Sequence, residues 1–303
     1  MRPITLTEPG TPLAPSELIL NPDGSVYHIA LKPEQLGDLV LVVGDPGRVA
    51  LISKRFDRVE HQGQNREFVA HTGTLRGKRI TALATGIGTD NIDIVLTELD
   101  ALVNIDLQER TPRKQQRSLT IVRMGTCGSL QEHIPVDNFI VSHSGLGLDN
   151  VLHYYAHEND DLEHRLLHAI LRHCEWPDNL PIPYLAMGHA PLVQRLGEDN
   201  HVGITATSGG FYGPQGRQVR AVPSVEGLNE AFTAFRSEVD GAMDLRITNY
   251  EMETSALYGL AGLLGHRAAT VCTVVANRLR GEYSKDHHSA VERMIDQVLE
   301  RLA

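Results

Sequence analysis

The segment Arg123–Ser129 (Arg-Met-Gly-Thr-Cys-Gly-Ser) combines side chains and backbone groups that could hold an anion. It follows Leu119–Val122, an apolar run that predicts a buried strand. Arginine offers a planar fork of N–H donors, threonine offers a hydroxyl, and glycine lets backbone N–H groups approach a ligand closely. Ligands of open α/β sheets bind beyond the carboxyl ends of strands, so we expect an anion site here.

Two more arginines could join this site. A second apolar strand is predicted to end just before Gly44, with Arg48 in the turn that follows, and Arg66 precedes another predicted strand. Taken singly, each arginine could be an ordinary surface charge. Together with Gly44, Thr126 and Arg123, they fit a phosphate cradle, because guanidinium forks and exposed backbone N–H groups both suit phosphate oxygens.

Two carboxylates mark a candidate sugar site. An apolar helix is predicted over residues 249–264, with Thr248 and Glu251 as a capping box at its start. Glu251 and Glu253 would then point in nearly opposite directions. One carboxylate could cap the helix while Glu253 faces a ligand, and sugar hydroxyls are natural partners for a fixed carboxylate.

The Gly- and Pro-rich stretch 209–217 predicts a loop that could recognise a heterocycle. Gln215 and Arg217 lie two residues apart, close to Phe211. An ordinary surface turn is one interpretation. In the other, the amide meets the imide edge of a base, the arginine donates to a carbonyl, and the aromatic ring packs alongside.

Composition and element order favour an α/β protein. Hydrophobic residues make up 41% of the 303 residues and aromatic residues only 5%, as in cores built from Val, Ile, Leu and Ala. Predicted strands and helices alternate without a credible linker, which favours a single domain over residues 26–303. The proline-rich residues 1–25 predict an extended arm, residues 106–118 an exposed segment, and residues 145–147 a loop.

The net charge and the cysteines limit the classes of ligand and the cellular compartment that we expect. A net charge of −10 argues against general binding to nucleic acids or anionic membranes, both of which require a basic face. The three cysteines are widely spaced and odd in number, which indicates reduced thiols. The amino-terminal residues lack the basic-then-apolar layout of a signal peptide. We therefore expect a cytoplasmic protein.

Common catalytic signatures are missing from the sequence. It contains no phosphate-binding P-loop, G-x-G-x-x-G fingerprint, G-x-S-x-G elbow or H-E-x-x-H helix. The pairs His153/His157 and His164/His168 have the spacing of metal ligands on a helix, but no carboxylate or cysteine pattern completes a ligand set. We expect no metal site.

These motifs resemble the nucleoside phosphorylase family from Tyr27 to the end of the chain. The resemblance implies a single-domain, three-layer α/β sandwich with a central mixed sheet flanked by helices. It implies direct roles in the reaction for Arg123, Thr126, Gln215 and Arg217. It also implies three sets of ligand-binding residues: Gly44, Arg48, Arg66, Arg123 and Thr126 for phosphate; His28, Met252 and Glu253 for ribose; and Phe211, Gln215, Arg217 and Arg278 for the base.

Within the family, the uridine branch is the more similar. The segment around Gln215 resembles its uracil-reading loop, and residues 275–278 resemble its arginine segment. Asn277 stands about where the purine branch carries an aspartate, which disfavours purines. The resemblance implies reversible phosphorolysis of uridine to uracil and ribose 1-phosphate, with inorganic phosphate as co-substrate and no cofactor.

The resemblance also implies a homo-oligomer built from dimers, in which His28 and Arg66 are shared across the interface. Dimer and hexamer both stay open, as does the use of deoxyuridine or thymidine. Three alternatives remain for function. They are a purine nucleoside phosphorylase, a nucleosidase of the same fold that uses water, and a nucleoside-binding or storage protein without catalysis.

Overall fold

A large mixed β-sheet runs through the molecule in the computed structural model, which describes residues 1–3 and 5–303. The strands are β1 (Arg2–Pro3), β2 (Leu39–Val43), β3 (Arg58–Asn65), β4 (Phe68–Leu75), β5 (Lys78–Ala84), β6 (Ile105–Asp106), β7 (Thr111–Pro112), β8 (Thr120–Ser129), β9 (Phe139–Gly147), β10 (His157–Glu158), β11 (Tyr184–Met187), β12 (His201–Thr207), β13 (Ile247–Glu251), β14 (Arg267–Asn277) and β15 (Glu282–Tyr283). The α-helices are α1 (Gly47–Ser53), α2 (Thr89–Asn104), α3 (Asp161–His173), α4 (Ala190–Gly197), α5 (Leu228–Ala234), α6 (Thr254–Leu263) and α7 (His287–Leu302).

The main sheet has eleven strands in the order β15-β14-β9-β12-β13-β8-β2-β5-β4-β3, with β11 added beside β9. Strand β14 also pairs with β8, so β8, β14, β9, β12 and β13 form a closed ring. Strands β5, β2 and β8 are mutually parallel, and their carboxyl ends therefore lie at the same edge of the sheet. The predicted mixed sheet with flanking helices is confirmed.

Both faces of the sheet are covered by helices. Successive side chains of β2 enter different cores, with Val40 and Val42 packing on the side of α2 and α6, and Leu41 and Val43 on the side of α1 and α7. A central strand buried on both faces needs apolar residues at every position, which explains its continuous Leu/Val run. Over residues 1–3 and 5–303, no helix is both long and apolar enough to cross a membrane.

The segment before α6 differs from its prediction. Residues Ile247–Glu251 form β13, and the helix begins only at Thr254, so the helix predicted from residue 249 and the Thr248–Glu251 capping box are wrong. The reason is tertiary, because β13 pairs in parallel with β12 and antiparallel with β8. The Thr248 hydroxyl donates to the neighbouring strand instead of capping a helix.

Two glycine-rich stretches also belong to strands. Strand β8 continues through residues 123–129, and β9 includes residues 145–147, where a loop was predicted. Strand β8 pairs with β14 as far as Ser129, and the end of β9 pairs with β11 and β12. Glycine fits there because a Cβ on Gly145 would lie 2.6 Å from the Cα of Ser255. Local glycine content predicted a loop, but neighbouring strands supply the backbone partners.

The amino-terminal arm packs on the segment predicted to be exposed. Apart from β1, residues 1–3 and 5–25 contain only isolated turns and bridges. The Gly10 N–H donates to the Pro112 carbonyl at 3.0 Å, and the Leu18 side chain is buried. The strand pair β6–β7 within this segment is therefore partly covered, whereas residues 113–118 are exposed as predicted.

Candidate active site

The sheet opens on one edge of β8, beside the predicted anion site. Strand β2 pairs with that edge as far as Arg123, and β13 pairs with it from Gly128 onward. Among the described residues, no strand pairs with the edge between these two points. The backbone of Gly125 and the half-buried Thr126 lies in this opening. The topology therefore leaves backbone groups free for a ligand.

Arg123 is buried beside the opening and bridges two carboxylates. Its Nη1 lies 3.0 Å from Glu251 Oε2, and its Nη2 contacts Glu253 Oε2. Burial alone would lower the pKa of Arg123, but the negative charges of Glu253 and Glu251 outweigh it and raise that pKa, which keeps the guanidinium charged. Its Nε is buried and has no hydrogen-bond partner among residues 1–3 and 5–303. One N–H donor of Arg123 is therefore left without an acceptor among these residues.

The folded chain close to Arg123 leaves no room for a side chain at Gly125. A Cβ on Gly125 would lie 2.2 Å from Nη1 of Arg123 and 2.7 Å from its Cζ. The guanidinium therefore lies back along its own strand, over this glycine. Here glycine is required by close approach and not by an unusual backbone angle.

Glu251 and Glu253 converge instead of pointing apart. The sequence interpretation placed them on a helix, but Glu251 ends β13 and Glu253 precedes α6, so both carboxylates reach Arg123. Glu253 Oε1 also accepts from the Gly88 N–H at 2.9 Å. Burial raises the pKa of Glu253, and Arg123 opposes that shift. Met252, which lies between Glu251 and Glu253 in the sequence, is half-buried.

Gly44 and Arg48 lie beside the same edge of the sheet. Gly44 follows β2 directly, and Arg48 is in the first turn of α1 with only 17% of its side chain exposed. Burial lowers the pKa of Arg48, Asp45 opposes the shift, and the positive charge of Arg123 adds to it. Arg48 and Arg123 are thus near enough to repel each other, an arrangement that an anion between them would stabilise.

Arg66 and His28 lie apart from this cluster. Arg66 is exposed in the turn between β3 and β4, with its Cζ 5.5 Å from the Tyr27 ring centroid. His28 Nδ1 lies 2.7 Å from Glu98 Oε1. In the described part of the chain, neither residue forms a hydrogen bond or ion pair with Arg123. Within one chain, these two residues are thus not bonded to the Arg123 cluster.

The three residues of the predicted base-reading loop come together. The guanidinium of Arg217 lies 3.9 Å from the Phe211 ring centroid, donates to the Phe211 carbonyl at 2.5 Å, and contacts Gln215 Oε1. Gln215 itself is buried. The loop thus presents an amide and an arginine side by side against one aromatic ring.

Arg278 connects this loop to the end of β8. Its Nη1 donates to the Gln215 carbonyl at 2.5 Å, and its Cζ lies 5.5 Å from the Tyr250 ring centroid. A Cβ on Gly128 would lie 3.8 Å from Arg217 and 3.9 Å from Arg278, so both arginines lie close to β8. The loop is therefore fixed next to the strand that carries Arg123.

Comparison with known proteins identifies the family. A profile of the phosphorylase superfamily matches residues 38–303. The chain belongs to this superfamily. The predicted relationship to nucleoside phosphorylases is confirmed.

Named proteins of the phosphorylase superfamily are similar to this chain in sequence or in structure. The uridine phosphorylase of Thermococcus kodakarensis is 32% identical over 264 residues, which cover 87% of this chain and 81% of the relative. A DeoD-type purine nucleoside phosphorylase of Colwellia psychrerythraea is 25% identical over 279 residues, covering 90% of this chain and 97% of the relative. Among solved structures, a Trypanosoma brucei nucleoside phosphorylase that shows uridine phosphorylase activity is similar with a TM-score of 0.83 and 30% identity, covering 94% and 99% of the two chains.

Some residues next to the candidate site were not predicted from the sequence. Cys272 is buried, and its Sγ lies 3.3 Å from Arg123 Nη1. Tyr250, whose ring lies beside the Arg278 guanidinium, was not predicted as a site residue. Gly88 was the one with a local signal, because a glycine just before a helix exposes backbone N–H groups. Asn277, by contrast, donates to the backbone carbonyls of Gln131 and Ile134.

Proposed function

We propose that the chain is a uridine phosphorylase that converts uridine and inorganic phosphate reversibly to uracil and ribose 1-phosphate. Phosphate is the co-substrate, and no cofactor takes part. The observation that carries the proposal is the placement of the Gln215/Arg217 pair beside β8, which also holds Arg123 with its unpaired Nε. The uridine phosphorylase activity of similar proteins supports the same assignment.

Phosphate would bind in the opening beside β8. Arg123 supplies a buried donor, Arg48 a second cation, and Gly44 and Thr126 supply backbone and hydroxyl donors. Arg66 would complete the site from a neighbouring subunit, since within one chain it lies apart from Arg123. Positioned in this way, the phosphate anion is the nucleophile and also stabilises the positive charge that develops on the sugar.

Ribose would lie against Glu253 and Met252. Glu253 is held by Arg123 and by the Gly88 N–H, so its orientation is fixed before a sugar binds. A fixed acceptor positions the ribose without a loss of side-chain freedom on binding. His28 would contact the ribose of the adjoining subunit, which makes a homo-oligomer built from dimers part of the proposal, together with a cytoplasmic location.

Uracil would be recognised by the loop that contains Gln215. The Gln215 Oε1 can accept from the N3–H of the base while its amide N–H₂ donates to O2, and Arg217 can donate to O4. Phe211 packs on the other side of Arg217. As the glycosidic bond breaks, negative charge grows on the base, and the arginine and amide donors stabilise it.

The direct test is uracil release from uridine with and without inorganic phosphate, with inosine as a parallel substrate. We expect release that depends on phosphate and negligible cleavage of inosine. Release without phosphate would identify a nucleosidase. Preference for inosine would identify a purine nucleoside phosphorylase, and one similar protein carries that name. Binding of uridine without turnover would identify a storage protein.

Arg217→Ala is expected to lower kcat for uridine about 10²–10³-fold, the usual cost of one preorganised donor. We expect kcat to fall because Arg217 mainly stabilises the negative charge that develops on the base as it leaves. Steady-state kinetics would measure it, with Arg220→Ala as control, an exposed arginine three residues further along the chain. A rise in KM at constant kcat would contradict this role for Arg217.

A further inference from the structure

The carboxylate of Glu251 is more deeply buried than its role beside Arg123 alone requires. It is only 1% exposed and accepts from the Glu253 and Thr254 N–H groups at 3.0 Å, as well as contacting Arg123 Nη1. A carboxylate held by this many donors has one orientation. The direction in which Arg123 presents its free Nε therefore depends on what fixes Glu251.

A second side-chain donor to Glu251, besides Arg123, is Thr207, the last residue of β12. Its hydroxyl donates to Glu251 Oε1 at 2.6 Å, and Thr207 Oγ1 itself accepts from the Ser255 N–H at 3.0 Å. The direction of the first bond is fixed, because an ionised carboxylate can only accept. Thr207 is fully buried, so water cannot replace its hydroxyl.

The far end of this chain of bonds is anchored by a second buried carboxylate. Ser255 Oγ donates to Asp149 Oδ2 at 2.8 Å, and the Tyr184 hydroxyl lies 2.8 Å from both Asp149 oxygens. Asp149 lies outside the opening and touches none of the residues assigned to substrate. The hydrogen-bond chain from Asp149 through Ser255 and Thr207 to Glu251 is therefore continuous and enclosed.

We propose that Thr207 is a positioning residue that orients Glu251, and through Glu251 aims the Nε of Arg123 at the phosphate. Without the hydroxyl, Glu251 Oε1 retains only the Thr254 N–H as a donor, at 3.1 Å. The carboxylate can then rotate, and Arg123 moves with it. The proposal rests on the proposed function, because it assigns the receiving anion as the phosphate co-substrate.

A matched control lies two residues away on the same strand. Thr205 is as fully buried as Thr207, and its hydroxyl is also hydrogen-bonded, to Asn249 Oδ1 at 3.1 Å, but it has no bond to Glu251. Alternate residues of a strand face the same side. Thr205→Val therefore imposes a similar stability cost without disturbing Arg123.

The experiment compares Thr207→Val, Thr207→Ser and Thr205→Val by phosphate-saturation kinetics at fixed uridine and by thermal unfolding. Thr207→Val is expected to lower kcat/KM for phosphate about tenfold, the value of a hydrogen bond to a charged group. Thr207→Ser keeps the hydroxyl and should restore most of this loss. Thr205→Val should leave phosphate kinetics within about twofold of the wild type while it lowers Tm comparably.

Equal phosphate kinetics in Thr207→Val and Thr205→Val would overturn the proposal, as would failure of Thr207→Ser to restore the loss. If Thr207→Val does not fold, Thr207→Cys, which keeps the bulk but has a weaker donor, should show an intermediate loss, and an unchanged kcat/KM would overturn the proposal. Calorimetric titration with inorganic phosphate separates the two hypotheses. A wild type that binds phosphate without cleaving uridine would refute the proposed function, while the affinities of the variants would still test Thr207.

Discussion

Cytidine is expected to be cleaved with a kcat/KM of order 10⁴ below that of uridine, the discrimination found where a buried polar site meets a mismatched partner. Cytosine has an acceptor at N3, where uracil has a donor, and an amino group at C4, where uracil has a carbonyl. The Gln215 Oε1 would then face a lone pair, and Arg217 would face an N–H₂ group. Arg217 is held by the Phe211 carbonyl, and Gln215 Oε1 is held by Arg217, so the pair cannot turn away easily.

Parallel assays of base release from the two nucleosides measure this ratio under saturating phosphate. The Arg217→Ala variant is an internal control, because it removes one of the two mismatches and should bring the two substrates closer together. Comparable kcat/KM values for uridine and cytidine in the wild type would refute the assignment of Gln215 and Arg217 to the base. They would leave the phosphate assignment standing.

Arg123→Met is expected to reduce turnover of uridine more than about 10³-fold, since loss of one donor typically costs about 10²–10³ and Arg123 also fixes Glu253. It should also destabilise the fold by about 3–5 kcal/mol, because Glu251 and Glu253 remain buried without their cation. Urea unfolding would measure the free energy. Arg267→Met, an exposed arginine on β14, should change stability by no more than about 0.5 kcal/mol.

The instability of Arg123→Met should depend on pH. Burial raises the pKa of Glu253, and without Arg123 nothing comparable opposes the shift, so the folded variant holds protons that the unfolded chain has released. Because the folded state then binds more protons, stability falls as pH rises and recovers as pH is lowered towards the ordinary range of a carboxylate. A stability deficit that is constant across this range would show that Arg123 is not the essential partner of the two carboxylates.

The sequence was most informative where one local pattern had one structural outcome. The apolar run before Gly44 predicted a strand, and it forms β2. Gln215 and Arg217 were predicted as partners because two residues in a tight loop must lie close together. These are short-range relations, and the tertiary structure did not alter them.

The same reasoning failed where strand pairing outweighed local propensity. Residues 247–251 read equally well as the start of an apolar helix, but backbone groups of β12 and β8 lie ready to pair with them. On a helix, Glu251 and Glu253 would point in opposite directions. With a strand at 247–251, both carboxylates contact the guanidinium of Arg123. No local pattern could have indicated it, since the residues brought together are more than a hundred positions apart.

Residue types and their order along the chain predict the arginines, the two carboxylates, the amide beside an aromatic ring, and the alternation of strands and helices that favours an α/β fold. Only the tertiary structure decided how these groups are used. It enclosed Arg123 between Glu251 and Glu253, left its Nε without a partner among the residues that the structure describes, and joined Thr207 to the cluster. The physical reason is that burial and strand pairing are properties of the whole sheet, whereas residue type and spacing are local.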